Sequence, residues 1–183
     1  MSHYKVIADV SNTLQSMLWA AFNQDNEIDV PTKQAIALQS PTETAKDSAN
    51  RLSLWLYHIT ENEYVSNQPI QRTGSDMQLS PPLALNLHYL MTPFATSGLS
   101  NLLLLGKTMQ VLNDNKIILV EEDGVAEELR LIFNQGSLEE LSRVWNALRE
   151  PYRLSLCYEV KTVRIDSQSE LRSQPIGARA VGR

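Results

Sequence analysis

The residues of this chain that could carry chemistry are few: His3, His58 and His88, Cys157, and the acidic run Glu121, Glu122 and Asp123. His58 and His88 fall in two stretches that read as strands, and pairing of those strands would bring them into one site. A mononuclear zinc site still needs a third protein ligand, and neither stretch contains a carboxylate. Ordinary strand histidines are the plainer reading. Cys157 with His88 makes a nucleophile and a base on paper, yet no local signature accompanies them. A single thiol in a chain of 183 residues reads as a small buried hydrophobe. The acidic run, followed by Gly124, lacks the alternating ligand spacing of a calcium loop and reads as a solvated turn. Phosphate-loop, dinucleotide, zincin and nucleophile-elbow patterns are missing. The expectation is no enzymatic activity, no cofactor and no metal.

Composition narrows the class. With 43% hydrophobic and 20% charged residues, a chain of this length affords one sizeable core. A net charge of −5 repels nucleic-acid phosphates. The one basic bias is terminal, where residues 164–183 hold four arginines against one Asp and one Glu. Trp19, Trp55 and Trp145 lack the interleaved basic residues of a base-stacking surface. No nucleic-acid partner is expected. Cys157 alone excludes an internal disulfide and fits a reducing compartment. The start, MSHYKVIADV, lacks the basic and apolar regions of a signal peptide. No apolar run, Leu102–Leu105 among them, approaches the roughly 20 residues of a membrane span. Synthesis and folding in the cytosol are expected, with no membrane-spanning segment.

The elements that must position these residues are organised around SPPLALNLHYLMTPF at Ser80–Phe94. Pro81 and Pro82 cannot donate ladder hydrogen bonds, so a strand starts after them. Leu83, Leu85, Leu87, Tyr89 and Met91 share its apolar face; Ala84, Asn86, His88 and Leu90 share the mixed one. Arg51–Thr60 is its expected partner. There Leu52, Leu54, Leu56 and His58 face one way, and Ser53, Trp55, Tyr57 and Ile59 the other. Before it, Val6–Phe22 has helical spacing through Ile7, Val10, Leu14, Met17, Leu18 and Ala21. Lys33–Gln39 reads as a small strand and Pro41–Asn50 as a loop.

After the central strand, Ser97–Asn113 reads as a helix burying Leu99, Leu102, Leu103, Met109 and Leu112, with Gly106 hinting at close packing. Ile117–Val120 is a short strand or a turn of helix, and Glu127–Phe133 a strand. Ser137–Glu150 is a helix opened by a Ser137–Glu140 capping box and stopped by Pro151, its inner face Leu138, Leu141, Val144, Trp145 and Leu148. Arg153–Ile165 is a last strand. Strands come in runs rather than alternating with helices. The expected class is therefore α+β, with a mixed, mainly antiparallel sheet and helices packed on it. Residues 1–165 form one domain and 166–183 a flexible tail. Glu61–Pro82 has no convincing period and reads as an extended arm or a long hairpin.

Several stretches, in this order, resemble the cap or tail-terminator family of extracellular contractile injection systems. These are the phage-tail-like particles of the Photorhabdus virulence cassette and antifeeding-prophage type. The stretches are the helix from Tyr4 to Leu18, LWLYHIT ending at Thr60, SPPLALNLHYLMTPF, LLLLGKTMQVL at 102–112, and SLEELSRVWNAL with PYRLSLCYEV within 137–160. They cover nearly the whole chain. Where the family often carries Arg-Asn after LWLYHIT, this chain has Ser66 and Asn67, and some members are longer at the C-terminus.

The resemblance implies a tail-terminator-like fold and a structural protein. Such a cap forms a homohexameric ring that ends the inner tube and anchors the last sheath layer. Its implied partners are copies of itself, the inner tube protein and the sheath protein. Its implied place is the bacterial cytoplasm during assembly, within a particle that is then released or membrane-anchored. On length, polarity and lack of pairing signals, Glu61–Pro82 is expected to contact a neighbouring cap subunit or the tube. Arg153–Ile165 and the tail are expected to face the sheath. The residues singled out for these interfaces are Tyr64, Asn67, Arg72, Arg164, Leu171, Arg172, Ile176 and Arg179. The alternative is a stand-alone adaptor or protein-binding domain of the same fold without a ring-forming role.

Overall fold

The computed structural model describes residues 4–62, 77–79, 82–122, 125–134, 136–166 and 170–172. Along the chain, α1 (Val6–Phe22) leads through a 3-10 turn (Lys33–Ala35) to β1 (Ile36–Ala37) and α2 (Pro41–Thr44). Next come β2 (Leu52–Glu61), β3 (Met77–Leu79), β4 (Leu83–Pro93) and α3 (Gly98–Asp114). The chain continues with β5 (Ile117–Glu122), β6 (Val125–Phe133), α4 (Leu138–Leu148), β7 (Leu156–Ile165) and β8 (Glu170–Arg172). Six strands form one sheet in the order β1-β2-β4-β7-β6-β5. Only β1 and β2 pair in parallel; the other neighbours in this sheet are antiparallel. The expected α+β class with a mixed, mainly antiparallel sheet is what the chain adopts.

β4 is central because both its faces can be covered. Leu85, Leu87, Tyr89 and Met91 lie in the main core, and Leu90 lies in a second cluster on the opposite face. The main core is built against α1, whose Val6, Val10, Leu14, Leu18 and Phe22 recur at four-residue spacing and are fully buried. Each buried side chain of this size contributes about 2 kcal/mol. Ile7, Met17 and Ala21, expected on the same stripe, flank it half-buried. β6 pairs with β5 over Val125–Arg130 but with β7 only over Arg130–Phe133. The hairpin thus leaves the middle of the sheet and meets α1, bringing Ile118, Val120, Leu129 and Leu131 into the main core.

α3 buries a different face from the one its composition suggests. Leu104, Leu105, Thr108, Val111 and Leu112 are inside, while Leu99, Leu102, Leu103 and Met109 are exposed. Four consecutive leucines at 102–105 offer two competing stripes. The winning stripe contains Thr108, whose hydroxyl donates to the Leu104 carbonyl at 2.7 Å and so enters the core with its polar group satisfied. Gly106 is on the solvent side, with nothing within 4 Å of where a Cβ would stand, so close packing is not its role.

Smaller differences are local. Pro41–Asn50, read as a loop, opens with α2, because Ser40 caps the Glu43 amide and Pro41 occupies the first turn. The small strand read at Lys33–Gln39 shrinks to β1 after the 3-10 turn. Ile117–Val120 is a strand, paired across the hairpin with Glu127–Arg130. α4 has its capping box: Ser137 and Glu140 exchange backbone-to-side-chain bonds at 2.7 and 3.2 Å. Of its expected inner face, Trp145 is buried, Leu141, Val144 and Leu148 pack partly against the second cluster, and Leu138 is exposed.

Candidate assembly surface

The two strand histidines do meet, through a feature absent from simple alternation. The β2–β4 register shifts between Leu56 and His58, leaving Tyr57 as an extra residue. A bulge of this kind re-phases the strand. His58, expected beside Leu56 on the core face, instead stands opposite His88, with ring centroids 5.4 Å apart. The Tyr57 ring is 6.3 and 6.4 Å from the two imidazoles. His88 Nε2 and Thr60 Oγ1 are 3.0 Å apart, and Glu159 of β7 lies in register on the other side of His88. Burial lowers the basicity of His88; Glu159 opposes this, and His58 and Lys161 reinforce it. Among the described residues, no group of three His, Cys, Asp or Glu side chains is placed to hold a metal ion.

Cys157 sits under α4, in the cluster with Leu90 and Trp145. Its thiol partners Tyr57 rather than His88, and burial pushes it up. Burial, together with Cys157, pushes the Tyr57 hydroxyl up to about 12. Both groups therefore stay protonated at neutral pH. This side of the sheet is an aromatic seam, buried under α4 at Cys157 and Trp145, that passes into a polar strip at His58, Thr60 and His88.

Of the residues expected at interfaces, Tyr64, Asn67, Arg72, Ile176 and Arg179 lie outside the described residues, as do Asp123 and Gly124 of the acidic run. Leu171 and Arg172 are in β8, which pairs antiparallel with β3, Leu171 opposite Gln78 and Arg172 opposite Met77. Residues 77–79 of the long connection and 170–172 of the tail, both segments read as lacking a partner, thus pair with one another. Arg164 is half-buried opposite Ala84, with its Nε lacking a hydrogen-bond partner. β7 is an inner strand, hydrogen-bonded to β4 and to β6. It can present side chains to a partner from its outer face, but between Tyr158 and Lys161 both of its edges are taken.

In the six-stranded sheet the outermost strands are β1, only two residues long and paired with just Leu52 and Ser53 of β2, and β5. Ile117 and Leu119 on β5 are 59% and 60% exposed. The other large exposed apolar surface is α3. Its outward stripe runs Leu99, Leu102, Leu103, Gly106 and Met109, and then the polar Gln110 and Asn113. A groove of about 400 Å³ at one end brings Leu102 beside Leu154 and Arg153. One of about 760 Å³ at the other end joins Met109 to Ile117, Phe133 and Tyr158. Sequence reading placed this stripe in the core. The signal it passed over was the alternative stripe, equally apolar and closed by a threonine that can satisfy itself.

With this geometry in place, the comparisons with known proteins become specific. The family model described as the Pvc16 N-terminal domain matches residues 9–178. No curated protein matches the chain by sequence. Among solved structures, the chain resembles the PVC sheath/tube terminator of an extracellular contractile injection system, in its extended state. There the TM-score is 0.63 at 22% identity, over 100% of this chain and 64% of that one. It also resembles the anti-feeding prophage cap, described as a tube-terminating cap, with a TM-score of 0.57 at 20% identity over 96% of this chain and 61% of that one. At these identities the likeness is one of fold. The chain spans less than two thirds of each of these structures.

Proposed function

The chain belongs to the Pvc16 N-terminal domain family, and from that membership we propose that it is a structural cap of a contractile injection system. It ends the inner tube as a tail terminator, holds the last sheath layer, and does so as a ring of identical subunits. The observation that carries this reading is the fold match to a sheath/tube terminator across the whole of this chain. The surface is compatible with it: β5 and α3 each present exposed apolar side chains. A six-membered ring of one chain uses head-to-tail contacts that close by rotation, so each subunit must present two different faces.

In this reading the partners are other copies, the tube protein and the sheath protein. The β5 edge is suited to receive an added strand, because its backbone groups on one side are unpaired within the sheet. Neither catalysis nor nucleic-acid binding is part of the role. No helix among the described residues is long and apolar enough to cross a membrane. Assembly takes place in the bacterial cytoplasm. The test is electron microscopy of particles made with and without the chain. Without it, tubes should run to irregular length with sheath ends unanchored; tubes of normal length with intact ends would sink the reading in favour of a stand-alone adaptor.

A further inference from the structure

Helix α3 turns an uncharged apolar face to solvent, and we propose that this face is a contact between copies of the chain. The inference rests on the ring-forming reading and assigns one of its two subunit faces. Leu99 is 69% exposed, Leu102 57%, and Leu103 and Met109 39% each. Isolated exposed leucines are ordinary. These four are contiguous along one helix and continue into a groove at each end. A patch of this kind on a single chain marks an interaction surface.

Charge points to the occupant. Between Leu99 and Asn113 the one ionisable side chain is Lys107, and its Nζ is paired with Asp25 at 3.0 Å. Each copy carries −5, so copies repel wherever acidic surface would have to meet acidic surface. The α3 face lets them approach without stripping water from a carboxylate. The cations lie off the stripe, Arg153 in the groove at one end and Lys116 with Arg130 in the groove at the other, where they can meet the acidic surface of a second copy.

Size sets what the face can supply. From Leu99 to Met109 the stripe is about 15 Å long and roughly 10 Å wide, on the order of 150 Å². That is near a fifth of the ~800 Å² each partner contributes to a stable interface, and the grooves at its two ends supply further contact area. Gly106 puts a notch in the middle of the ridge, open enough to admit a neighbour's side chain.

Sedimentation of the full chain tests this. Leu103→Glu with Met109→Glu is the disruptive pair, and Leu99→Gln with Leu103→Gln is the milder one. Asn12→Glu on α1 is the surface control, and circular dichroism melts check folding. Wild type and control are expected to self-associate as concentration rises, and each α3 pair to weaken association roughly tenfold or more. If the Glu pair misfolds, the Gln pair decides. Unchanged association in a folded α3 pair overturns the proposal and leaves the ring standing on other contacts. A wild-type chain that stays monomeric at about 100 µM also overturns it. Whether that chain still caps tubes in negative stain then tells if the ring reading falls too. Association that appears only after removal of residues 173–183 puts the chain's own tail on the face and likewise overturns the proposal.

Discussion

The hydroxyls of Ser11 and Tyr89 stand 2.8 Å apart inside the core, joining the first helix to the middle strand of the sheet. Ser11 Oγ already donates to the Ile7 carbonyl at 3.0 Å, so its single proton is committed and Tyr89 must be the donor. Tyr89→Phe removes that donor together with its need for a partner. The expected cost is about 1 kcal/mol. Tyr89→Ala empties a fully buried site and should cost about 3–5 kcal/mol. Urea unfolding of both variants checks the ratio; equal losses would show that the hydrogen bond, not the ring, holds the helix to the sheet.

The same residue predicts behaviour at high pH. Burial pushes the Tyr89 hydroxyl up to about 12. In the unfolded chain it returns to the ordinary value of 10.0. Between those values the unfolded state loses the proton first, so stability is intact below pH 10 and falls as pH rises toward 12. Tyr57 adds to the slope in the same window. Thermal melts across this range should drop steeply, and Tyr89→Phe should flatten the drop. A slope that Tyr89→Phe leaves unchanged would assign the effect to other groups.

The face of α3 is checked by a matched pair of truncations. Leu105 is 4% exposed and Leu103 39%. Leu105→Ala should cost about 2–4 kcal/mol, and Leu103→Ala less than about 0.5 kcal/mol in the isolated chain. Denaturant midpoints measured side by side decide it. The reverse ranking would restore the burial that hydrophobic counting suggests.

That helix also shows where sequence reading runs out. The limits of α1 were legible because one stripe of large apolar residues is flanked by polar ones, leaving no competing face. β2, β4 and β7 were legible from their alternation and from the prolines before β4. The α3 face was not, because Leu102–Leu105 supplies apolar residues to two stripes at once. The second half of the helix breaks the tie, where Val111 and Leu112 continue the inward stripe while Gly106, Gln110 and Asn113 interrupt the outward one. The bulge at Tyr57 was hidden for another reason. It is a mismatch in count between two strands, and no residue within β2 announces it. The pairing of β3 with β8 spans about half of the chain and rests on just three residue pairs, too short a pattern to register locally. The aromatic seam was therefore half-read: its histidines were paired correctly by strand, but His58 was assigned to the wrong face.

The corrected position of His58 leads to a prediction at low pH. His88 carries a lowered basicity, first from burial and then from the facing His58 and Lys161, while Glu159 acts against the shift. Tyr57 and Thr60 face it as neutral groups. A depressed value in the folded state means that the unfolded chain takes up the proton first as pH falls below 6.5, the ordinary imidazole value. Stability from this group is thus complete above pH 6.5 and is lost on acidification toward its folded value. His88→Gln keeps a polar partner for Thr60 and cannot titrate, so its melting temperature should vary less between pH 7 and pH 5 than that of wild type. His58→Gln removes the facing ring that lowers the basicity of His88 and should raise that basicity, visible as an upward shift of its imidazole resonance titration. If His58→Gln leaves that titration in place, the two rings are not electrostatically coupled, and burial with Glu159 and Lys161 sets the behaviour of His88.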